Sequence, residues 1–135
     1  MPKLPRPTDA ELAILRVLWE RGPSTVRVVF EALSDARETG YTTTLKLMQI
    51  MAEKGLVTRD ESSRTHIYSA RLTQDQTQRQ LIADLVERAF GGSATALVMQ
   101  ALSAHPASAE ELREIEKLVE AHRSDPSTTE KGQQS

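Results

Sequence analysis

The stretch Tyr41-Thr42-Thr43-Thr44-Leu45-Lys46-Leu47-Met48-Gln49-Ile50-Met51-Ala52-Glu53-Lys54-Gly55-Leu56-Val57 leaves the chain few choices. It reads as a helix with two unlike faces, stopped by Gly55 and running straight into a strand. At about 100° per residue, Thr44, Met48 and Met51 share one side, with Leu47 at its edge. Thr42, Thr43, Lys46, Ile50 and Glu53 share the other. A helix buried on one side usually shows charges opposite. This one shows short hydroxyls and a single lysine in its first turns. Small donors at the N-terminal end of a helix suit an object that must come close, such as a phosphate or a base edge. A solvated face that happens to carry threonines fits the helix alone equally well, so the flanking sequence has to decide.

Upstream, residues 1–7 hold three prolines and are expected to be extended. Thr8-Asp9-Ala10-Glu11 is a capping box, in which hydroxyl and carboxylate satisfy two orphan N–H groups. Leu12, Leu15, Leu18 and Trp19 follow at helical spacing until Gly22-Pro23. Ser24 is placed to cap a second helix, where Val26, Val29, Phe30 and Leu33 fall at i, i+3, i+4 and i+7. Residues 34–40 read as a polar loop. Downstream, Leu56 to Asp60 and Thr65 to Ala70 read as strands around the short polar turn Glu61-Ser62-Ser63-Arg64. Three helices and a two-stranded hairpin in this order describe a winged helix-turn-helix. The fold class is therefore mostly α with a small β-hairpin.

A second capping box, Thr73-Gln74-Asp75-Gln76, opens a helix over about 74–90 carrying Leu81, Ile82, Leu85, Val86 and Phe90. Gly91-Gly92 breaks it. A shorter helix over about 94–103 carries Leu97, Val98, Met99 and Leu102, and the region ends at Pro106. Ser108-Ala109-Glu110-Glu111 opens the last helix, with Leu112, Ile115, Leu118 and Val119. The expected organisation is a winged-helix domain over 1–72, a three-helix dimerisation region over 73–123 and a disordered tail over 124–135. About 50 residues fold alone only marginally, so the apolar stripes call for a second copy of the chain. Leu81, Ile82, Leu85, Phe90, Leu97, Leu102, Leu112, Ile115, Leu118 and Val119 are the candidate dimerisation residues. Helices folded back on their own winged helix are the alternative.

Charge is unevenly shared. Residues 1–71 carry 11 Lys/Arg against 9 Asp/Glu, and residues 72–135 carry 6 against 10. A basic half and an acidic half suggest that only the first half meets a polyanion. The chain has no cysteine, which excludes disulfides, thiolate metal sites and a cysteine nucleophile. No apolar run approaches a membrane span and the start lacks a signal core, so a cytoplasmic protein without membrane insertion is expected. His66, His105 and His122 fall in three different elements, and no metal or other cofactor is expected. Glu110, Glu111, Glu114 and Glu116 have no nucleophile, glycine loop or pocket signature beside them, so an enzyme is not expected.

The opening Thr8-Asp9-Ala10-Glu11-Leu12, Val17-Leu18-Trp19, Ser24-Thr25-Val26 and, above all, Tyr41-Thr42-Thr43 leading to Glu53-Lys54-Gly55-Leu56-Val57 resemble the BlaI/MecI family of penicillinase repressors. Arg64, His66 and Tyr68 sit where that family's wing has basic and aromatic residues. The resemblance spans roughly residues 7–122. It implies a homodimeric winged-helix repressor on a palindromic operator of double-stranded DNA, contacted by the third helix and the wing. In the family's well-known branch, a sensor protease cuts the repressor within its dimerisation region. Two departures stand out. Ile50 replaces an arginine common on the outer face of the third helix, offering a contact to a thymine methyl instead. Gln100-Ala101, after Leu97-Val98-Met99, stands where the family's cleavable Asn–Phe bond would be. The cysteines of the copper-sensing relatives are absent.

The candidate DNA contacts are Ser24, Thr25, Thr42, Thr43, Lys46, Gln49, Ile50, Arg64 and His66. Ser24 and Thr25 would meet phosphate at a helix N-terminus. Gln49 is suited to reading adenine. Arg64 at the wing tip is a phosphate or minor-groove candidate. Two further readings stay open: a winged-helix regulator controlled by a small ligand at the seam around 72–90, and a winged helix used for protein–protein contact.

Overall fold

The computed structural model describes residues 6–34 and 40–124. Residues 1–5 of the proline-rich start, 35–39 of the polar loop and 125–135 of the expected tail lie outside the described residues. The described elements are α1 (Asp9–Arg21), α2 (Val26–Ser34), α3 (Tyr41–Lys54), β1 (Val57–Asp60), β2 (Ile67–Ala70), α4 (Gln74–Ala89), α5 (Ala94–Ala104) and α6 (Ala109–Arg123). The strands pair antiparallel, with Val57 opposite Ala70 and Asp60 opposite Ile67. This is the order of a winged helix-turn-helix followed by three helices.

Local signals set the ends of the elements. Thr8 and Glu11 complete their capping box at α1, as Ser108 and Glu111 do at α6. At the start of α4, Thr73 and Gln76 exchange the same reciprocal bonds at 2.9 and 3.0 Å. Gly55 closes α3 with φ 85, a left-handed conformation that costs other residues energy. Gly91 and Gly92 turn the chain out of α4 with φ 56 and 87.

Two expectations need correcting. Ser24 does not cap α2. Thr25 does, its Oγ1 accepting the Val28 N–H at 3.2 Å. The backbone of Ser24 is taken by the wing, exchanging hydrogen bonds with Tyr68 at 2.9 and 2.8 Å, so the helix begins one residue later. The hairpin loop is also longer than expected, with strands starting at Val57 and Ile67 rather than Leu56 and Thr65. Asp60 accepts the Ser62 N–H at 2.9 Å, which curls the chain out of the ladder after one strand.

The core is aliphatic, as the scarcity of aromatics requires. Ile14, Leu15 and Leu18 of α1 meet Val26 and Val29 of α2, Met48 and Met51 of α3, and Leu56, Val57 and Tyr68 of the hairpin. The buried side of α3 is Thr44, Met48 and Met51, the face its periodicity defines. Trp19 lies at the margin and donates its Nε1–H to the Leu72 carbonyl at 2.9 Å, fixing where the wing passes into α4.

The chain divides into two compact units, Met1–Asp84 and Leu85–Ser135, the division falling inside α4. The start of α4 belongs to the first unit. Thr77 is buried there, and Arg6 bonds Asp84 at 2.8 Å. In α5 and α6 no side chain is buried. Among the described residues no helix is long and apolar enough to cross a membrane.

A candidate nucleic-acid interface

Helix α3 turns Thr42, Thr43, Lys46, Gln49 and Glu53 to solvent, with Ile50 half-buried among them. Its N-cap, Gly40, makes no side-chain cap hydrogen bond. The leading N–H groups of α3 lie beside the hydroxyls of Thr42 and Thr43. The burial of Thr44, Met48 and Met51 determines this outer face, because it fixes the helix's rotation against α1 and α2.

Beside α3, the N-terminal part of α2 and the wing enclose a concavity of about 320 Å³. Thr25, Gln49, Arg64 and His66, candidates from three separate elements, all line it. Thr42, Thr43, Lys46 and Ile50 do not line it but lie on the same outer side of α3. Ser24 is buried, its hydroxyl donated to the Gly22 carbonyl at 2.8 Å, so it serves the turn between the helices instead of a ligand.

The concavity also holds residues that the sequence did not single out as contacts: Arg27, Tyr41, Arg59 and Thr65. The Arg27 guanidinium lies 4.8 Å from the Tyr41 ring centroid and 5.9 Å from that of Phe30. Arg59 stands opposite Tyr68 across the hairpin. The Tyr68 phenol, and then the Glu61 carboxylate 3.6 Å away, push its guanidinium pKa still further up. Glu61 is also 3.8 Å from His66 Nε2. One exposed carboxylate therefore sits between two basic groups of the wing, at distances that screening keeps weak. Pairing of Arg59 with Tyr68 was readable only from the strand register, and Arg27 only as a lone arginine, the second residue of α2.

At the far end of α3, Glu11 of α1 is buried and its Oε2 receives Lys54 Nζ at 2.8 Å. Burial alone would raise the Glu11 carboxyl. The Lys54 ammonium and the Thr8 N–H and hydroxyl outweigh it and hold the pKa below the ordinary 4.5. This pair locks the C-terminal end of α3 to the start of α1.

The candidate dimerisation residues fall in both units. Leu81 is half-buried and Ile82 exposed in the first. In the second, Phe90, Leu97, Leu102 and Ile115 are half-buried, while Leu85, Leu112, Leu118 and Val119 are exposed, Leu118 by 61%. Val98 and Met99 extend this apolar surface, Met99 with 65% exposure.

The chain matches the family model described as "Penicillinase repressor" over residues 7–121. It is similar to the transcriptional regulator BlaI of Mycobacterium tuberculosis, at 39% identity over 90 residues. That match takes in 66% of this chain and 65% of that protein, so the chain spans just under two thirds of this relative's length. It is 22% identical over 123 residues to the penicillinase repressor of Bacillus licheniformis, covering 91% of this chain and 96% of that one. It is also similar to the solution structure of the Bacillus licheniformis BlaI monomeric form in complex with the blaP half-operator. There identity is 23%, coverage 56% of this chain and 92% of that one, and the TM-score 0.48. A family match running from before α1 almost to the end of α6 makes this chain a member of the penicillinase repressor family, which is a family of transcriptional repressors and not of enzymes.

Proposed function

We propose that this chain is a homodimeric, sequence-specific DNA-binding transcriptional repressor that reads a palindromic operator through α3 and the wing. The observation that carries the reading is the meeting of Thr25, Gln49, Arg64 and His66 around one concavity beside the hydroxyl-rich outer face of α3. In this reading, Thr42, Thr43, Thr25, Lys46 and Arg64 contact the backbone and position the protein. Gln49 and Ile50 face base edges in the major groove. Residues 1–72 form the DNA-binding part and residues 73–123 the dimerisation part, working in the cytoplasm without cofactor.

The dimer rests on the second unit. Its helices bury no side chain of α5 or α6, yet carry Leu112, Leu118, Val119, Val98 and Met99 on their surfaces. Covering such surface is worth about 25 cal/mol per Å² of apolar area. A second copy presents the same stripes and covers both sets at once. A sensor protease that separated the two copies would release the operator.

A second reading, control by a small ligand at the seam, is favoured by one observation. An open concavity of about 460 Å³ lies between Leu18, Trp19 and Pro23 on one side and residues 69–74 on the other. The test of the main reading is anisotropy of labelled palindromic DNA, selected from a random pool, across a salt series, with light scattering on the free protein. Tight binding that weakens steeply with salt, by a dimer, supports it. Salt-insensitive binding, no selected sequence, or a monomer at micromolar concentration overturns it.

A further inference from the structure

The outer face of α3 is short of positive charge. Lys46 is its one cation before the C-terminal Lys54, and Lys54 is engaged with Glu11. A protein reading duplex DNA needs more backbone contacts than that, since each neutralised phosphate contributes separately to affinity. The missing charge stands on α2. Arg27 is exposed, lies two residues past the Thr25 cap and lines the same concavity as Gln49, Arg64 and His66.

Its guanidinium is held against two rings. The Tyr41 ring centroid is 4.8 Å from the guanidinium carbon and that of Phe30 is 5.9 Å. The two rings are themselves fixed edge to face, 5.6 Å apart at 80°. No carboxylate among the described residues forms an ion pair with Arg27. A cation–π contact gives the guanidinium no acceptor oxygen and so leaves N–H groups as donors for a ligand. Ordering a free arginine side chain on a ligand costs rotamer entropy, and one held against rings has already lost part of that freedom. Tyr41 is the first residue of α3, directly before Thr42 and Thr43. The stack therefore ties the arginine of α2 to the end of α3 where the hydroxyls and leading N–H groups lie.

We infer that Arg27 grips a backbone phosphate of the bound DNA and that Tyr41, with Phe30 behind it, is the positioning residue that holds it ready. The inference rests on the DNA-binding reading and names a further residue of that same site. Arg27 supplies from α2 the positive charge that Ile50 does not supply from α3.

The experiment measures operator affinity against salt for wild type, Arg27→Gln, Arg27→Lys and Tyr41→Leu in the full chain, with thermal melts of each. Arg27→Gln should lower the slope of log K against log salt by about one per half-site, about two for the dimer, and weaken binding about tenfold or more in 0.1 M salt. Arg27→Lys should restore the slope without the full affinity, because an ammonium carries the charge but not the planar stack. Tyr41→Leu should keep the wild-type slope and weaken binding, since the charge remains and only its order is lost. Melting points near wild type accompany all three. A steep wild-type slope left unchanged by Arg27→Gln overturns the inference while leaving the DNA-binding reading intact, and so does a Tyr41→Leu protein that binds as wild type. A wild-type protein without salt-dependent DNA binding overturns both.

Discussion

Lys54 Nζ stands 2.8 Å from Glu11 Oε2, joining the last turn of α3 to the first turn of α1 across 43 residues of sequence. The Glu11 side chain is almost wholly buried, while that of Lys54 keeps 35% exposure. The other carboxylate oxygen accepts the Thr8 N–H at 2.9 Å. One carboxylate is thus satisfied from two elements, and it ties the C-terminal end of α3 to α1.

Removing Lys54 leaves that carboxylate buried with only its cap. Lys54→Ala is expected to destabilise the winged helix by about 1–3 kcal/mol, and Glu11→Ala by more, because it also removes the capping box. Glu11 has a lowered pKa in the folded chain, so its contribution is complete above the ordinary value of 4.5 and fades as pH falls below it toward the lowered value. Thermal melts between pH 7 and 3 should show a loss in wild type that is smaller in Glu11→Gln. Equal acid sensitivity in the two proteins would remove Glu11 from this account.

Lys46 and Gln49 lie on the same outer face of α3 but should behave differently. Lys46→Ala is expected to weaken binding to every DNA and to lower the salt slope by about one per half-site. Gln49→Ala should leave the slope alone and relax preference at one base pair per half-site, by roughly 1–3 kcal/mol. Binding of the two variants to the selected operator and to single-base changes of it separates these roles.

Leu118 is 61% exposed in the single chain, so an aspartate there meets water and leaves the monomer's fold undisturbed. In a dimer it is buried without a partner, at a cost of several kcal/mol. Leu118→Asp is expected to give a monomer of unchanged helix content, read by light scattering and circular dichroism. A dimer of wild-type strength would place the interface elsewhere.

The segment 91–107 connects α4 to α6 through two positive-φ glycines and the turn at His105-Pro106. A protease site inserted after Gly92 and fully cut should abolish tight operator binding while fragment 1–92 keeps the circular dichroism of a folded winged helix. Two half-sites held by one dimer act at high effective concentration, and cutting removes that gain. Unchanged affinity after complete cutting would show that residues 93–123 are not needed for dimerisation.

The sequence by itself determined where most of the helices start and stop and which side of α3 is buried. Those signals are local: Thr8 with Glu11, Thr73 with Gln76, Ser108 with Glu111, the glycines at 22, 55 and 91–92, and the period of Thr44, Met48 and Met51. A cap needs partners three residues away, and a helical face needs only one turn to repeat. The family resemblance then pointed to DNA for a face that composition alone left ambiguous. Only the tertiary structure decided which residues gather around the concavity beside α3. Ser24 is not among them, its backbone held by the wing through Tyr68. Arg59, Tyr41 and Arg27 are, on the strand and helices that close around Gln49. It also showed Glu11 buried, where a carboxylate in a first turn reads as solvated until Lys54 arrives from the far end of α3. Arg27 carries no cap partner in its own segment, and the capping box of Thr8 and Glu11 says nothing of Lys54, so these surroundings exist only once distant elements have packed.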